Sequence, residues 1–379
     1  MYVRETKIFT APGRTEICGN HTDHQNGIVL AASVNLQTTA VVAANADNVI
    51  NITSQGFGCI KLSANDTDYR PEEEGTTISL VRGVLAGFKA IGCQVGGFSA
   101  LVSSSILPGS GLSSSAAFEV LIGRILNELY NDNVVNDVII ARIGQFAENF
   151  WFGKPCGLMD QTASAVGGLV AIDFKQPARP QIELLDSSFD QYGHSICITN
   201  TGTSHADLTR SYTAITNDMK KVANFFGKET LRDVDETEFF AGIDRCGQKT
   251  GSIATLRAIH FFLEENRVQD AVFSLKCNEF KRFLKVINDS GRSSEELLKN
   301  IYVPGSADPG LAPALELSRS ILSGEGATRP HGGGFAGTIQ AFVPVSDTAE
   351  YKALMDSVFG EGACHVLSVR RDGAVELTI

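Results

Sequence analysis

The sequence lacks the paired cysteines that hold structural zinc ions or frameworks of disulfide bonds. Its 379 residues include 8 cysteines, and none of them forms a Cys-x-x-Cys pair. Scattered cysteines of this kind are typical of proteins in the reducing cytoplasm. The sequence also has no apolar run as long as a membrane span, and its first residues do not resemble a secretory signal. We therefore expect a cytoplasmic protein without a zinc cage.

An excess of positive charge is also absent. Lys and Arg number 32 against 43 Asp and Glu, which gives a formal net charge of −11 at pH 7. Because nucleic acids and anionic membranes repel a protein of this charge, we expect neither as a partner. The composition, 43% hydrophobic and 20% charged, is that of an ordinary globular protein, and the length suffices for two domains.

The chain lacks a Walker A motif, but it has a glycine- and serine-rich segment, residues 107–119, that reads Leu-Pro-Gly-Ser-Gly-Leu-Ser-Ser-Ser-Ala-Ala-Phe-Glu. Proline and glycine interrupt regular structure there, the serines can cap a helix, and a helix-forming run begins at Ala116. Such a turn at a helix N-terminus favours an anion, so it predicts phosphate binding, with a plain capping turn as the alternative. The residues predicted to bind phosphate are Pro108, Gly109, Ser110, Gly111, Leu112, Ser113, Ser114, Ser115 and Ala116.

The order of strands and helices is mixed, which predicts an α+β fold with mixed sheets rather than a doubly wound parallel sheet. After Thr201-Gly202 the composition becomes strongly helical, so we predict two domains, 1–200 and 201–379. Pro12-Gly13 is expected to end the first strand. The expected strands include 7–11, 28–32 and 38–44, and the expected helices include 118–130, 134–150, 250–265 and 266–288.

Four segments together resemble the GHMP small-molecule kinases, and among these the galactokinases. Residues 12–24, Pro-Gly-Arg-Thr-Glu-Ile-Cys-Gly-Asn-His-Thr-Asp-His, are similar to the galactokinase signature Pro-Gly-Arg-Val-Asn-Leu-Ile-Gly-Glu-His-Thr-Asp-Tyr. The serine-rich segment resembles the second family motif, and Gly-Leu-Met-Asp-Gln at 157–161 resembles Gly-Ile-Met-Asp-Gln. The turn Gly-Gly-Gly-Phe-Ala-Gly at 332–337 resembles the third motif, Gly-Gly-Gly-Phe-Gly-Gly. The four segments stand in the order that the family has.

The resemblance implies a two-domain fold with its active site in the cleft between the domains, and transfer of the γ-phosphate of ATP to the anomeric hydroxyl of galactose or a close relative. Asp160 would accept the proton of the sugar hydroxyl, or orient that hydroxyl. Arg14 would hold Asp160 ionised and stabilise the transferring phosphoryl group. Ser115, or its neighbour Ser114, and Glu148 would bind Mg²⁺, although Glu148 could equally be an ordinary helical glutamate.

Sugar contacts would come from residues 12–24, here called the first motif, from the 157–161 segment and from the second domain. Asp23 is the strongest candidate, because a carboxylate can accept hydrogen bonds from neighbouring hydroxyls. His21 could instead order its own loop, and Tyr212 could be a plain aromatic on a helix face. The residues implied to bind the sugar are Asn20, His21, Asp23, Gly157 and Tyr212.

Two positions depart from the galactokinase signature, since Asn20 replaces its Glu and His24 replaces its Tyr. In the family the Glu-His pair lies toward C6 of the sugar. An amide there would relieve repulsion against a C6 carboxylate, which makes galacturonate an alternative substrate. A non-catalytic sensor of sugar and ATP is a further alternative, disfavoured because Arg14, Asp160 and the serines are all present. We expect a monomer or a weak homodimer.

Overall fold

The computed structural model describes residues 6–55, 58–106, 110–202 and 208–378, which form two sheets and a set of helices. The predicted α+β class with mixed sheets is confirmed. The strands are β1 (Thr6–Cys18), β2 (Ile28–Ala44), β3 (Val49–Ser54), β4 (Gly58–Ser63), β5 (Phe98–Ser104), β6 (Leu169–Asp173), β7 (Gln181–Leu185), β8 (His194–Asn200), β9 (Ala327–Pro330), β10 (Thr338–Pro344), β11 (Cys364–Leu367) and β12 (Val375–Leu377). The helices are α1 (Thr77–Ala90), α2 (Ser114–Tyr130), α3 (Asp137–Phe146), α4 (Met159–Val166), α5 (Thr209–Phe225), α6 (Glu236–Ala241), α7 (Ile243–Thr250), α8 (Ser252–Lys276), α9 (Phe280–Ser293), α10 (Ala312–Leu322) and α11 (Thr348–Phe359).

The first strand does not end at Pro12-Gly13 as expected. β1 continues to Cys18, and its register against β2 shifts between Pro12 and Arg14 and again between Glu16 and Cys18. Irregularities of this kind let a strand pass a residue that cannot donate to the ladder. As a result Arg14 and Glu16, two residues apart on one strand, are both carried into the interior, where their exposed fractions are 6% and 3%.

The two strands expected at 28–32 and 38–44 are one strand of 17 residues. One edge of β2 follows β1 along most of its length, while its other edge pairs with β6 over 28–32 and with β5 over 38–44. Residues 33–37 lie between the segment paired with β6 and the segment paired with β5, and β1 pairs with Ser33 and Gln37 on the other edge. The strand therefore does not need to break there. The first sheet has the order β12-β1-β2-β5-β3-β4, and β6 and β7 extend it from β2.

The second sheet contains β11, β8, β10 and β9 in that order, with antiparallel pairs throughout. It includes β8, which precedes residue 200, while β12 from the end of the chain pairs with β1 in the first sheet. The sheets therefore draw strands from both sides of the expected boundary, and the division into 1–200 and 201–379 stays a prediction. Within the described ranges, no helix is both long and apolar enough to cross a membrane.

In the helical region after residue 208, the expected helices 250–265 and 266–288 are divided at a different place. α8 runs without interruption to Lys276, and the break falls at Cys277–Glu279, where Asn278 has a left-handed φ of 57°. The rings of Phe239, Phe261 and Phe262 lie in the core that α5, α6 and α8 share. This packing turns α8 toward the first sheet, where Glu264 accepts from the backbone amide of Gly19 at 3.1 Å.

β1 also contacts the second sheet through buried polar groups. Arg329 on β9 donates to the Glu16 carboxylate at 2.5 Å and to the carbonyls of Glu16 and Ile17 at 3.1 and 3.2 Å. Gln340 on β10 donates to the Thr15 hydroxyl at 2.6 Å and to the Glu16 carbonyl at 3.0 Å. These bonds join β1, and with it the first sheet, to the second sheet.

We expect Arg329→Met to be strongly destabilising, because it leaves the buried Glu16 carboxylate without its cation. The loss of unfolding free energy should be about 3–5 kcal/mol, measured by urea denaturation. Lys276→Met is the matched control, since its ion pair with Glu183 has side chains 46% and 52% exposed. Removing that surface pair should cost less than about 1 kcal/mol. Equal losses in the two variants would contradict the structural role of the buried pair.

Candidate active site

The centre of the site is an ion pair between β1 and the first turn of α4. Arg14 Nε donates to Asp160 Oδ1 at 2.7 Å and Nη2 donates to Oδ2 at 2.6 Å, so the pair is bidentate. The third guanidinium nitrogen, Nη1, donates to the Gly111 carbonyl at 2.5 Å. The two side chains are 7% and 23% exposed, which leaves one edge of the carboxylate facing solvent. All three guanidinium nitrogens thus donate a hydrogen bond, and Asp160 is held in one orientation.

Burial alone would raise the pKa of Asp160, but the net effect is opposite. The adjacent Arg14 charge, and hydrogen bonds from Arg14 and Ser113, lower the pKa of this carboxyl below its ordinary value. The carboxylate is therefore ionised at neutral pH and can accept a proton or a hydrogen bond from an incoming hydroxyl.

The serine-rich segment lies directly beside this pair, but its serines do not all act as expected. Ser113 precedes α2 with a left-handed φ of 55°, and its hydroxyl donates to Asp160 Oδ2 rather than capping the helix. The prediction of capping hydroxyls is corrected at this residue, because the left-handed backbone turns the side chain toward α4. Ser114 is exposed, and Ser115 donates to Glu148 Oε1 at 3.0 Å. Pro108 and Gly109 lie outside the described residues, whereas Ser110, Gly111 and Leu112 lie on the approach to α2 and Ala116 lies in its first turn.

Glu148, one of the two predicted metal ligands, lies on a π-helical turn, Ala147–Trp151, that continues α3. Extra residues in a π turn redirect a side chain, and here the carboxylate reaches both Ser115 and Lys154, whose ammonium lies 2.8 Å from Oε1. A lysine nitrogen on that oxygen shows that the position suits a cation. Of the two serines left open, Ser115 is the one that faces Glu148, so these oxygens fit a hard cation such as Mg²⁺.

In the described part of the chain, no group of three or more His, Cys, Asp or Glu side chains is arranged to hold a metal ion. One carboxylate with one hydroxyl is nevertheless what Mg²⁺ commonly takes from a protein when phosphates supply other oxygens. Behind this position, Gln161 donates to Glu148 Oε2 at 2.8 Å and to Glu119 Oε2 at 3.0 Å. Since Gln161 follows Asp160 on α4, it ties the candidate metal carboxylate to the ion pair.

Asp23 lies against Gly157, at the other side of Asp160. A Cβ atom at position 157 would lie 1.7 Å from Asp23 Oδ2, so only glycine leaves room for this carboxyl group. Burial first, and then the charges of Asp160 and Glu16, raise the pKa of Asp23 to about 7. The site therefore contains two nearby carboxyl groups with opposite pKa shifts, one held ionised and one able to keep its proton.

Three of the five residues expected to contact sugar are instead bonded to the glycine turn, residues 331–337. Asn20 Nδ2 donates to the Gly332 carbonyl at 2.6 Å, His21 Nε2 bonds the Gly333 carbonyl at 3.0 Å, and Tyr212 donates to the Gly334 carbonyl at 3.4 Å. A Cβ atom at Gly333 would lie 2.3 Å from the Tyr212 ring, so this close approach requires glycine. Three successive carbonyls are thus held by side chains from the first motif and from α5.

Asn20 is fully buried, and its expected place beside C6 of a sugar stays a prediction. Its Nδ2 also donates to Glu16 at 3.2 Å, and its Oδ1 accepts from Asn300 at 2.8 Å. Protein groups thus use both ends of the amide. The expected role of Asn20 came from its place in the motif, whereas its actual partners, Gly332 and Asn300, are far away in sequence.

Several residues of the site were not found from the sequence. Lys154 and Gln161 lie within or next to the motif at 157–161, so their proximity to Asp160 was a usable signal. Glu16, Glu119 and Asn300 gave none, because a carboxylate or an amide is normally a surface residue. Burial together with the Glu148 charge raises the pKa of Glu119 well above its ordinary value. The structure thus gathers Arg14, Asp160, Ser113, Asp23 and Gly157 in one place, with Ser115 and Glu148 beside them.

Two family models match the chain. The GHMP kinases N-terminal domain matches residues 79–168, and the galactokinase galactose-binding signature matches residues 1–44. The first match contains the serine-rich segment, Glu148 and Asp160, and the second contains Arg14 and Asp23. The matched ranges therefore include the residues that the structure brings together.

The chain is also similar to individual proteins over nearly its full length. It is 31% identical to a galactokinase of Glaesserella parasuis, with 90% of this chain and 86% of that protein aligned. The crystal structure of Lactococcus lactis galactokinase complexed with galactose superposes with a TM-score of 0.83 at 23% identity, over 99% of this chain and 95% of the other. Methanococcus jannaschii mevalonate kinase superposes with a TM-score of 0.65 at 13% identity, over 97% and 98% of the two chains. At these identities the two structures show a shared fold.

We expect Asp23→Asn to stabilise the protein more at neutral pH than in acid. The pKa of Asp23 lies near 3.8 in the unfolded chain and at about 7 in the folded protein. Between about pH 4 and pH 7 only the folded state keeps the proton, so ionisable Asp23 lowers stability as pH rises through this window. Urea denaturation of both proteins at about pH 4.5 and about pH 7.5 measures the difference. A stability difference independent of pH would show that Asp23 titrates normally.

Proposed function

The chain belongs to the galactokinase family of the GHMP kinases and is a sugar kinase of that type, and on this premise we propose that it phosphorylates the anomeric hydroxyl of galactose at the expense of ATP. The observation that carries the proposal is the bidentate Arg14–Asp160 pair beside the start of α2. A directed carboxylate next to a helix N-terminus provides an acceptor for a hydroxyl proton within reach of a phosphate site.

We assign the donor side to the start of α2. The first amide groups of a helix have no acceptor within the helix, and together with the helix dipole they favour phosphate. Residues 110–116 lead into that end of α2, and Arg14 bonds the Gly111 carbonyl at their start. The arginine therefore contacts both the phosphate loop and Asp160, where a cation can stabilise charge on the transferring phosphoryl group.

The step needs little covalent chemistry from the protein. The anomeric oxygen attacks the γ-phosphorus, its proton passes to Asp160 or is oriented by it, and ADP leaves with the bond to its β-phosphate oxygen broken. Asp160 suits this task because Arg14 and Ser113 fix both its orientation and its charge. The N-terminal end of α2 and Arg14 then hold the phosphates in line with the attacking oxygen.

We propose Ser115 and Glu148 as the protein ligands of Mg²⁺. The bound ion would supply charge neutralisation on the ATP phosphates. Glu148 contributes a carboxylate that is already oriented by Gln161, and the ammonium of Lys154 shares that carboxylate. The Lys154 side chain is 58% exposed, so it has room to move when a cation approaches.

Asp23 and Gly157 are proposed to contact the sugar, because they lie against each other and Asp23 is close enough to Asp160 for that charge to raise its pKa. Asp23 accepts from the His24 amide at 2.8 Å through Oδ1, and its other oxygen faces Gly157. Asn20 points elsewhere, so its departure from the signature gives no reason to prefer a C6 carboxylate. A neutral sugar also fits better beside two carboxyl groups than an acid does, which favours galactose over galacturonate. A cytoplasmic location and a monomeric or weakly dimeric state stay predictions from the sequence.

The direct test is coupled ADP release with MgATP against galactose, galacturonate, N-acetylgalactosamine and glucose. We expect galactose to give the highest kcat/KM, and Asp160→Asn to lower kcat by about 10²–10⁴-fold because the proton acceptor is lost. Asp270→Asn is the control, since Asp270 pairs with Arg282 on the surface and is 54% exposed. Full turnover by Asp160→Asn would exclude the assigned role, and a clear preference for galacturonate would replace the proposed sugar while keeping the mechanism.

We expect Glu148→Gln to bind Mg²⁺ more weakly, so that full activity needs a higher Mg²⁺ concentration. The Mg²⁺ concentration for half-maximal rate should rise by about tenfold or more, as for other losses of a metal contact. Glu316→Gln, on the surface of α10 with a side chain 72% exposed, is the control. An unchanged Mg²⁺ dependence in Glu148→Gln would mean that another group holds the ion.

A further inference from the structure

Two neighbouring histidines of the first motif form a hydrogen bond with each other. His21 Nδ1 lies 3.1 Å from His24 Nε2, and the two ring centroids are 5.3 Å apart. The other nitrogen of His21 bonds the Gly333 carbonyl at 3.0 Å, and the other nitrogen of His24 faces Gln25 Nε2 at 3.4 Å. All four ring nitrogens therefore have a neighbour within the protein.

The partners at the two ends decide which nitrogens carry protons. A carbonyl oxygen can only accept, so His21 Nε2 must carry a hydrogen and, in a neutral ring, Nδ1 must accept. His24 Nε2 then has to be the donor, which leaves His24 Nδ1 as an acceptor. Burial lowers the pKa of His21 to about 4, so a neutral ring is expected at neutral pH.

The far end of the chain of bonds gives the same answer independently. Gln25 Oε1 accepts from the backbone amide of Leu231 at 3.1 Å, which fixes the orientation of the glutamine amide. Gln25 Nε2 is therefore the end that faces His24 Nδ1, and it is a donor. Every bond from Leu231 to Gly333 thus points in one direction, toward the glycine turn.

We propose that His24 is a positioning residue for phosphoryl transfer, which fixes His21 as the Nε2–H tautomer and thereby holds the glycine turn against the acceptor side of the cleft. The inference rests on the proposed sugar kinase function. Among the hydrogen bonds of the described residues, His24 is linked to the turn through His21, to which it donates one bond. With that donor absent, the Gly333 carbonyl is the remaining one of the two partners that favours the Nε2–H form, so the Nδ1–H form, whose Nε2 lone pair opposes that carbonyl, becomes more populated.

The glycine turn is a suitable element for such control, because it touches both sides of the site. Tyr212 packs on Gly333, and the His21 and Tyr212 rings stack with centroids 6.4 Å apart. At the start of the turn His331 bonds Thr15 at 2.9 Å, and a Cβ atom at Gly111 would lie 3.0 Å from the His331 ring. A shift of the turn would therefore move groups beside Tyr212 and His21 and beside Gly111 in the proposed phosphate loop.

The test compares His24→Gln, which keeps a donor near the position of Nε2, with His24→Leu, which has none. For His24→Leu we expect kcat/KM for galactose to fall by about tenfold, the effect of one hydrogen bond, with the KM for ATP changed by less than about twofold. His24→Gln should recover most of the loss. His365→Leu, on β11 outside the cleft, controls for the general effect of losing a histidine.

The tautomer is measured separately by ¹⁵N NMR of histidine-labelled full-length protein, with the His21 signals assigned from a His21→Gln sample. We expect the Nε2–H form in the wild type and in His24→Gln, and a mixture in His24→Leu. An Nδ1–H tautomer in the wild type, or equal activity losses in the two His24 variants, would overturn the proposal. Wild type without turnover on any sugar would instead refute the proposed function, and the ¹⁵N spectra still decide the tautomer. Should His24→Leu not fold, the wild-type spectra and the activity of His24→Gln remain decisive.

Discussion

β1 carries two opposite charges into the interior of the protein, and the packing of the elements around this strand depends on pairing each of them. Arg14 and Glu16 are two residues apart on one strand, so both leave it in similar directions. A buried charge without a partner costs several kcal/mol, and each of these side chains finds its partner on a different element. Arg14 pairs with Asp160 on α4, and Glu16 pairs with Arg329 on β9. The strand that forms the site is therefore also the strand that joins the two sheets.

The same pairing separates the chemical roles of the carboxyl groups around Asp160. Arg14 directs three of its five N–H groups to Asp160 and the Gly111 carbonyl, and its charge acts on the pKa of Asp23 less strongly than burial and the charges of Asp160 and Glu16 do. Asp160 is ionised as a result, and its charge adds to burial in keeping a proton on Asp23. One cation thus produces one acceptor of protons and one potential donor of a hydrogen bond, which is a useful division beside a sugar with several hydroxyls.

The sequence predicted the elements of the site better than the directions of their side chains. The serine-rich turn, the helix after it and the short helix at Asp160 follow from glycine, proline and apolar spacing, which act locally. The bond from Ser113 to Asp160 depends on a left-handed backbone at a residue that is not glycine, and no local rule assigns that conformation to serine. The continuation of β1 past Pro12 depends on a bulge against β2, and the Glu16–Arg329 pair joins residues 313 apart. Both are products of tertiary packing.

The departure at position 20 shows why a motif residue cannot be interpreted apart from its partners. Asn20 donates to the Gly332 carbonyl and to Glu16, and both groups are acceptors. A glutamate at this position could not donate to either group, and its charge would oppose that of Glu16 in a buried site. An amide therefore suits the way the glycine turn is held in this chain. In this chain the residue that differs from the galactokinase signature helps to hold the glycine turn, and the proposed contacts to the sugar fall to Asp23 and Gly157.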